Sequence, residues 1–392
     1  MRGAFICLAF GAFAIGTEGY MIAGLLPLLS SDLHVTIATA GLLVTVFAVT
    51  YAIATPLLAA VCGNVDRRRL LVSALGSFAV ANLLAAASHT FLQLAMARVV
   101  LAVAAGLFLP TASAVAASMA LPEKRGRALA IVTGGSTVAV ALGVPLGTWI
   151  AALGDWRTTF LMIGGVAAIG TIGLARSLPR GLARGAATLR ERFAVARAKG
   201  MPAALTVTFL WAVGGFTVFT FIAPFLQKTL HLRGGGIGVV LFVIGVSAAA
   251  GTALGGQATD RIGADRVVVV FASMLMTVLT ALTITAKVLP SLPLVIALIV
   301  LWKIAGWGFG PAQATRLIRL APANPAVALS LNASAIYFGI AAGSALGSIT
   351  IRLMGVEWVG AVGGACQMVG LIVLLAKRGR AAEEQREERL AA

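Results

Sequence analysis

The chain alternates between long uncharged apolar runs and short polar connections. Residues 34–65, 70–97, 99–122, 128–154, 200–227 and 234–259 contain no Asp, Glu, Lys or Arg. Each run has room for the roughly 20 apolar residues that carry a helix across a bilayer. The runs are too long and too continuous for barrel strands, and in lipid a helix satisfies its own backbone. The pattern predicts twelve spans. The first six lie near residues 4–29, 38–62, 70–88, 91–118, 127–152 and 157–176. The second six lie near 202–227, 236–258, 267–286, 292–315, 326–351 and 357–376. The first is too long for a signal peptide, and no small-residue cleavage site precedes the second.

Composition agrees. The 392 residues are 60% hydrophobic and 11% charged, with a mean hydropathy of +1.00, so lipid is the solvent for much of the surface. A net charge of +17 would suit nucleic acid, but the positions of the bases argue against it. They collect in alternate connections: Arg67 to Arg69, then Lys124, Arg125 and Arg127, then Arg261, Arg266, Arg316 and Arg319. More follow between Arg176 and Lys199 and after Lys377, whereas the opposite connections hold only Arg157, Lys228, Arg233, Lys287 and Arg352. The positive-inside rule then puts both termini in the cytoplasm. Trp149, Trp156 and Trp358 fall where an outer aromatic belt belongs. Cys7, Cys62 and Cys366 are isolated and read as packing residues, with no metal site or disulfide. No glycine-lysine phosphate loop and no deep catalytic set is visible, so neither ATP, another cofactor nor an enzyme is expected.

The chain also looks duplicated. "GGSTVAVALGVPLG" puts Gly135, Ala139, Gly143 and Gly147 on one helix face; "ASAIYFGIAAGSALG" repeats that spacing with Ala335, Gly339, Gly343 and Gly347. Small residues every fourth position let helices approach closely. Pro110 pairs with Pro311, and Pro27 with Pro224. The fold class is therefore an all-α polytopic membrane protein of two pseudo-symmetric six-helix bundles. Residues 1–176 form the first bundle, 177–201 a basic cytoplasmic linker, 202–376 the second bundle and 377–392 a cytoplasmic tail. The linker reads equally as an amphipathic helix on anionic lipid or as a solvated tether. The tail reads as a solvated helix or as disordered.

"GQATDRIGADR", with Gly256, Asp260, Arg261 and Gly263, resembles the loop signature of the major facilitator superfamily, read as a short turn between spans. Its first-half counterpart "AAVCGNVDRRR" departs from the pattern: Gly63 stands where the acid would, and Asp66 precedes Arg67. "LAMARVVLAVAAG", with Arg98, resembles the fourth-span motif. "ALGVPLGTWIAALGDWRTTF", with Gly143, Pro145 and Gly147, resembles the fifth-span motif of antiporters. "GTEGYMIAGLLP" resembles the first span of chloramphenicol, purine-nucleoside and arabinose-efflux-like exporters, with Gly19 where Phe usually follows the acid. The resemblance implies alternating access, with spans one, four, seven and ten lining a central cavity.

Glu18 is the only acid deep in a span, and Arg98 and Lys303 are the only deep bases. A charge at mid-bilayer costs roughly 2.5–3.5 kcal/mol on insertion scales, so these three are expected to share one polar cavity. Burial disfavours the Glu18 carboxylate and a nearby Arg98 or Lys303 favours it, which makes Glu18 and Arg98 candidates for proton coupling. The alternative is a static ion pair that holds helices together. Tyr20, Tyr51, Trp211, Trp307 and Asn332 are candidate cavity residues beside Lys303. His34, His89 and His231 fall in outer connections, away from any proton relay. The reading is a proton-coupled exporter of a small organic compound, working as a monomer in the bilayer. An importer or uncoupled facilitator of a sugar or nucleoside, and a receptor or scaffold, are the alternatives.

Overall fold

The computed structural model describes residues 2–121, 124–181 and 189–391, and among them there is helix and no strand. Among the described residues, twelve helices are long and apolar enough to cross a membrane. Those of the first half are Gly3–Asp32, Ile37–Ala59, Arg67–Ala86, Phe91–Met119, Arg125–Leu153 and Trp156–Ser177. Those of the second are Met201–Phe219, Gly235–Ile262, Ala264–Val288, Leu292–Leu320, Pro325–Leu353 and Val356–Ala376. Spans two, three, four and six start at a polar residue that stops the apolar run and caps the freed amides. Thr36 accepts from the Thr39 amide, Asp66 from the Arg69 amide, and Asp155 from the Arg157 amide. Thr90 and Gln93 form a reciprocal capping box at the fourth span. Asp66 also accepts from the Gly181 amide at 3.1 Å. The Arg69 amide, ahead of those of Gly181 and Arg68, holds its exposed carboxyl below the usual carboxylate range.

Three local features differ from the sequence pattern. The seventh span, read as continuous over 202–227, ends at Phe219 and resumes as Ile222–Leu230. Pro224 has no N–H for the Thr220 carbonyl, and its ring crowds that carbonyl. In the fifth span, residues Ala139–Gly143 form a π turn. Pro145 crowds the Ala141 carbonyl in the same way, and one wider turn relieves it. The Asp-Arg motif is helix rather than turn. The eighth span carries Gly256, Asp260 and Arg261 in its last turns, and only Gly263, at φ +84, reverses the chain. The lack of a Cβ makes that left-handed geometry accessible.

The glycine stripes seat helix against helix. A Cβ on Gly135 would overlap the Ala9 carbonyl, and one on Gly143 would overlap Thr17. Spans one and five therefore touch backbone to backbone. Spans seven and eleven meet likewise: a Cβ on Gly339 would lie 2.5 Å from the Phe209 carbonyl oxygen, and Thr217 donates to the Gly343 carbonyl at 3.2 Å. In lipid, such close packing replaces the hydrophobic driving force that water would supply. At the end away from the termini, Arg157 bridges Asp32 at 2.9 Å and Asp155 at 3.1 Å and donates to the Ser88 carbonyl. That cluster joins spans one, three and six. Trp156 donates to Asp32 and is only 3% exposed, so it is a core residue rather than part of an aromatic belt. Trp358 lies against Lys287, while Trp149 is 53% exposed.

The halves meet mainly along the part of the spans distant from the termini. Ser344 of span eleven donates to the Gly41 carbonyl of span two at 2.9 Å, and Thr45 donates to that of Ala341. Gly245 of span eight packs on the Ala141 backbone of span five. Toward the termini, a cavity of about 220 Å³ separates Leu58, Arg67 and Pro110 from Arg192, Val327 and Ser330. Residues 182–188 of the linker lie outside the described residues. Its helix Leu189–Ala196 docks on the second half: Val195 packs with Leu317 and Val327, and Arg192 donates to Ser330 at 2.9 Å. The linker helix is thus held by protein on one face, an arrangement neither sequence alternative described. The helix of the last span continues to Ala391, while residue 392 lies outside the described residues.

Replacing Gly343 by Val is expected to push span eleven off span seven and destabilise the protein by about 1–3 kcal/mol. Gly165→Ala serves as the control, because a Cβ there meets nothing within 4 Å. Thermal unfolding in detergent should show a lower midpoint for the first variant and an unchanged or higher one for the second.

Candidate functional site

A central cavity lies between the halves in two lobes. The first, about 90 Å³, is lined by Gly16, Gly19, Phe47, Ser136 and Tyr337 among others. The second, about 240 Å³, includes Trp211, Trp302, Lys303, Gly306 and Trp307. Tyr20, Phe216 and Phe219 line both, so an aromatic partition divides them. Their ring centroids lie 5.6–6.2 Å apart, within the range of favourable edge and offset contacts. The break after Phe219 positions this partition, because the seventh span ends beside it.

Glu18 and Arg98 form an ion pair, each fully buried. The Arg98 Nε donates to the Leu43 carbonyl at 3.3 Å, and its guanidinium lies 4.4 Å from the Phe47 ring centroid. Spans one, two and four are thereby joined at one point. The pair is incompletely satisfied: Glu18 Oε2, Arg98 Nη2 and the neighbouring Thr17 Oγ1 are buried without a hydrogen-bond partner among the described residues. Neither charged side chain lines the cavity. Both stand behind its wall, which is made there by Gly16, Gly19 and Phe47. A Cβ on Gly19 would meet nothing within 4 Å, so the backbone next to Glu18 faces open space.

Lys303 is elsewhere. It lines the second lobe at 6% exposure, with Nζ 3.6 Å from the Trp302 ring centroid and 4.1 Å from that of Phe219. The expectation of three charges in one polar cavity therefore needs correction. Two neutralise each other in the first half, and the third stands alone in the second. Apolar sequence on every side of each charge concealed which partner its helix faced.

Of the other candidates, Tyr20, Trp211 and Trp307 line the second lobe, and Trp211 stacks on Phe309 at 5.2 Å. Tyr51 does not line either lobe; it is buried and stacks on Tyr337, which takes the cavity position. Asn332 does not line them either. Its Oδ1 accepts from Thr208 at 2.8 Å and ties span eleven to span seven. That contact belongs to a polar chain absent from the sequence reading. Gln313 donates to Thr208 and accepts from Arg316, and Arg316 bridges Asp265 at 2.8 Å. Asp260 is exposed and forms no ion pair or hydrogen bond among the described residues, whereas Asp265, five residues on, joins span nine to span ten. Arg67 follows the Asp66 cap and borders the cavity near the termini. Gly147 and Pro145 shape the fifth span against Thr159 and Gly238. Phe47, Phe216, Phe219 and Tyr337 escaped the sequence reading because an all-apolar helix has no polar face to orient it.

Comparison with known proteins identifies the arrangement. The family profile described as Major Facilitator Superfamily matches residues 8–251 and 204–391. The inner membrane transport protein YdhP of Escherichia coli (strain K12) is 31% identical over 371 residues, covering 94% of each chain. A chloramphenicol resistance protein of Streptomyces lividans is 33% identical over 352 residues, covering 88% of each. The crystal structure of a D-xylose-proton symporter superposes with a TM-score of 0.79 at 15% identity, over 95% of this chain and 97% of that one, a likeness of fold alone. Twelve spans, two halves around a central cavity and matches along nearly the whole length are features of transporters rather than enzymes: this chain is a multi-pass membrane transporter and belongs to the Major Facilitator Superfamily.

Proposed function

We propose that the protein exports a small organic compound in exchange for protons across the bacterial inner membrane, with both termini in the cytoplasm. The observation that carries this reading is the buried Glu18–Arg98 pair with Glu18 Oε2 unbonded. Glu18 is the one carboxylate deep in the spans, and a bare stretch of backbone at Gly19 separates it from the cavity. A proton arriving at Oε2 cancels the charge that holds Arg98. Arg98 then keeps only the Leu43 carbonyl and the Phe47 ring, both on span two. Span two carries half of the contact that closes the halves, through Gly41 and Thr45. Protonation is thereby linked mechanically to that closure. Loss of the proton restores the pair and resets the cycle. The bases clustered near the termini support the orientation, and the resistance for which the Streptomyces relative is named supports export.

Transport in inside-out vesicles with an acid interior tests the coupling. Chloramphenicol, purine nucleosides, arabinose and benzoate are offered to wild type and to Glu18→Gln. Gradient-driven uptake of at least one of them is expected in wild type and should vanish in the folded variant. Equal gradient-driven uptake by both would remove Glu18 from the coupling. The pair has its own test in thermal stability. Arg98→Ala leaves a buried unpaired acid and is expected to cost about 3–5 kcal/mol, much of which the double variant Glu18→Gln/Arg98→Met should recover. For the closure, Thr45→Cys and Ala341→Cys in a background without the native cysteines should cross-link under oxidation. Transport should stop, and reductant should restore it.

A further inference from the structure

We propose that the second lobe binds a single-ring aromatic acid, with Lys303 pairing its carboxylate and the surrounding rings covering its apolar part. The inference rests on the reading of the central cavity as the substrate site, and it names the substrate class.

The argument starts from an unbalanced charge. Lys303 is only 6% exposed and forms no hydrogen bond or ion pair among the described residues. Trp302 and Phe219 stabilise the ammonium through their ring faces, but a ring face supplies no lone pair to its N–H donors. A buried charge without a hydrogen-bonded partner is costly, and the protein offers no acid to complete it. Between Asp265 and Glu357 there is no Asp or Glu. Asp265 already bridges Arg316 and Arg319, and Glu357 lies at the far end of the spans, where its carbonyl accepts from Thr283. Glu18, the one deep acid, is engaged by Arg98. An anionic ligand group in the lobe would hold Lys303 in its charged form and balance it. A cation would be repelled, and a neutral ligand would leave the ammonium as it stands.

The remaining wall defines the rest of the ligand. Trp211 and Phe216 come from span seven, Trp307 from span ten and Tyr20 from span one. Gly306 and Gly310 line the lobe without side chains. Rings on several sides suit a flat aromatic body by offset or edge contact. The volume of about 240 Å³ lies below the roughly 300–1,000 Å³ of sites for drug-sized ligands, which points to one ring rather than several.

Purified full-length protein in detergent, followed by tryptophan fluorescence, tests this with three single-ring probes of similar size and different charge: benzoate, benzamide and benzylamine. Wild type is expected to bind benzoate about tenfold or more tighter than benzamide, and benzylamine weakest. Lys303→Gln should erase the preference for benzoate, with folding checked by thermal unfolding, and Lys303→Arg should keep it. Equal binding of benzoate and benzamide by wild type, survival of the preference in folded Lys303→Gln, or no binding of any probe would overturn the proposal. The titration needs no proton gradient, and Glu18→Gln should retain the preference. Absence of gradient-driven transport in wild type with intact benzoate selectivity would therefore defeat the export reading alone, and gradient-driven transport without that selectivity would defeat the substrate class alone.

Discussion

In hydrocarbon a backbone amide finds no water, so every span closes its own hydrogen-bond ladder before any other contact can form. The rest of the structure is arranged around that constraint. Association between helices cannot draw on the exclusion of water, and it uses close approach instead. Glycines in spans five and eleven bring those helices onto spans one and seven at backbone distance. Side-chain bonds to backbone, such as Thr217 to the Gly343 carbonyl, add direction to contacts that dispersion alone would leave slippery.

The places where the ladder fails are informative for the same reason. Pro224 breaks the seventh span, and Pro145 goes with a π turn in the fifth. Both disturbances stand beside the central cavity or the contact between halves, where other protein can take up the freed groups. Phe219 and Phe216, just before the break, become the partition between the two lobes. A backbone irregularity dictated by covalent chemistry thus sets the shape of the site.

The two halves share a plan but not a charge pattern. The correspondence of Pro27 with Pro224, which also matches His34 with His231 at left-handed turns, places Gly215 opposite Glu18. The correspondence of Pro110 with Pro311 places Ile299 opposite Arg98. The first half therefore holds a neutral acid–base pair where the second has apolar residues, and the second carries Lys303 one turn away without an acid. In the proposed cycle, this asymmetry assigns protons to the first half and ligand charge to the second.

Twelve spans, their order and the two-half plan were legible in the sequence, because length, hydropathy and small-residue spacing are local properties that lipid reads directly. The three deep charges stood out for the same reason. Their partners did not, since rotation about a helix axis leaves no trace in a segment that is apolar all round. Only the tertiary structure decided that Glu18 faces Arg98, that Lys303 faces rings, that Tyr51 yields its cavity position to Tyr337, and that Asp265 rather than Asp260 bridges two spans. Each of those outcomes depends on which faces meet after packing, a relation between distant residues that no local pattern encodes.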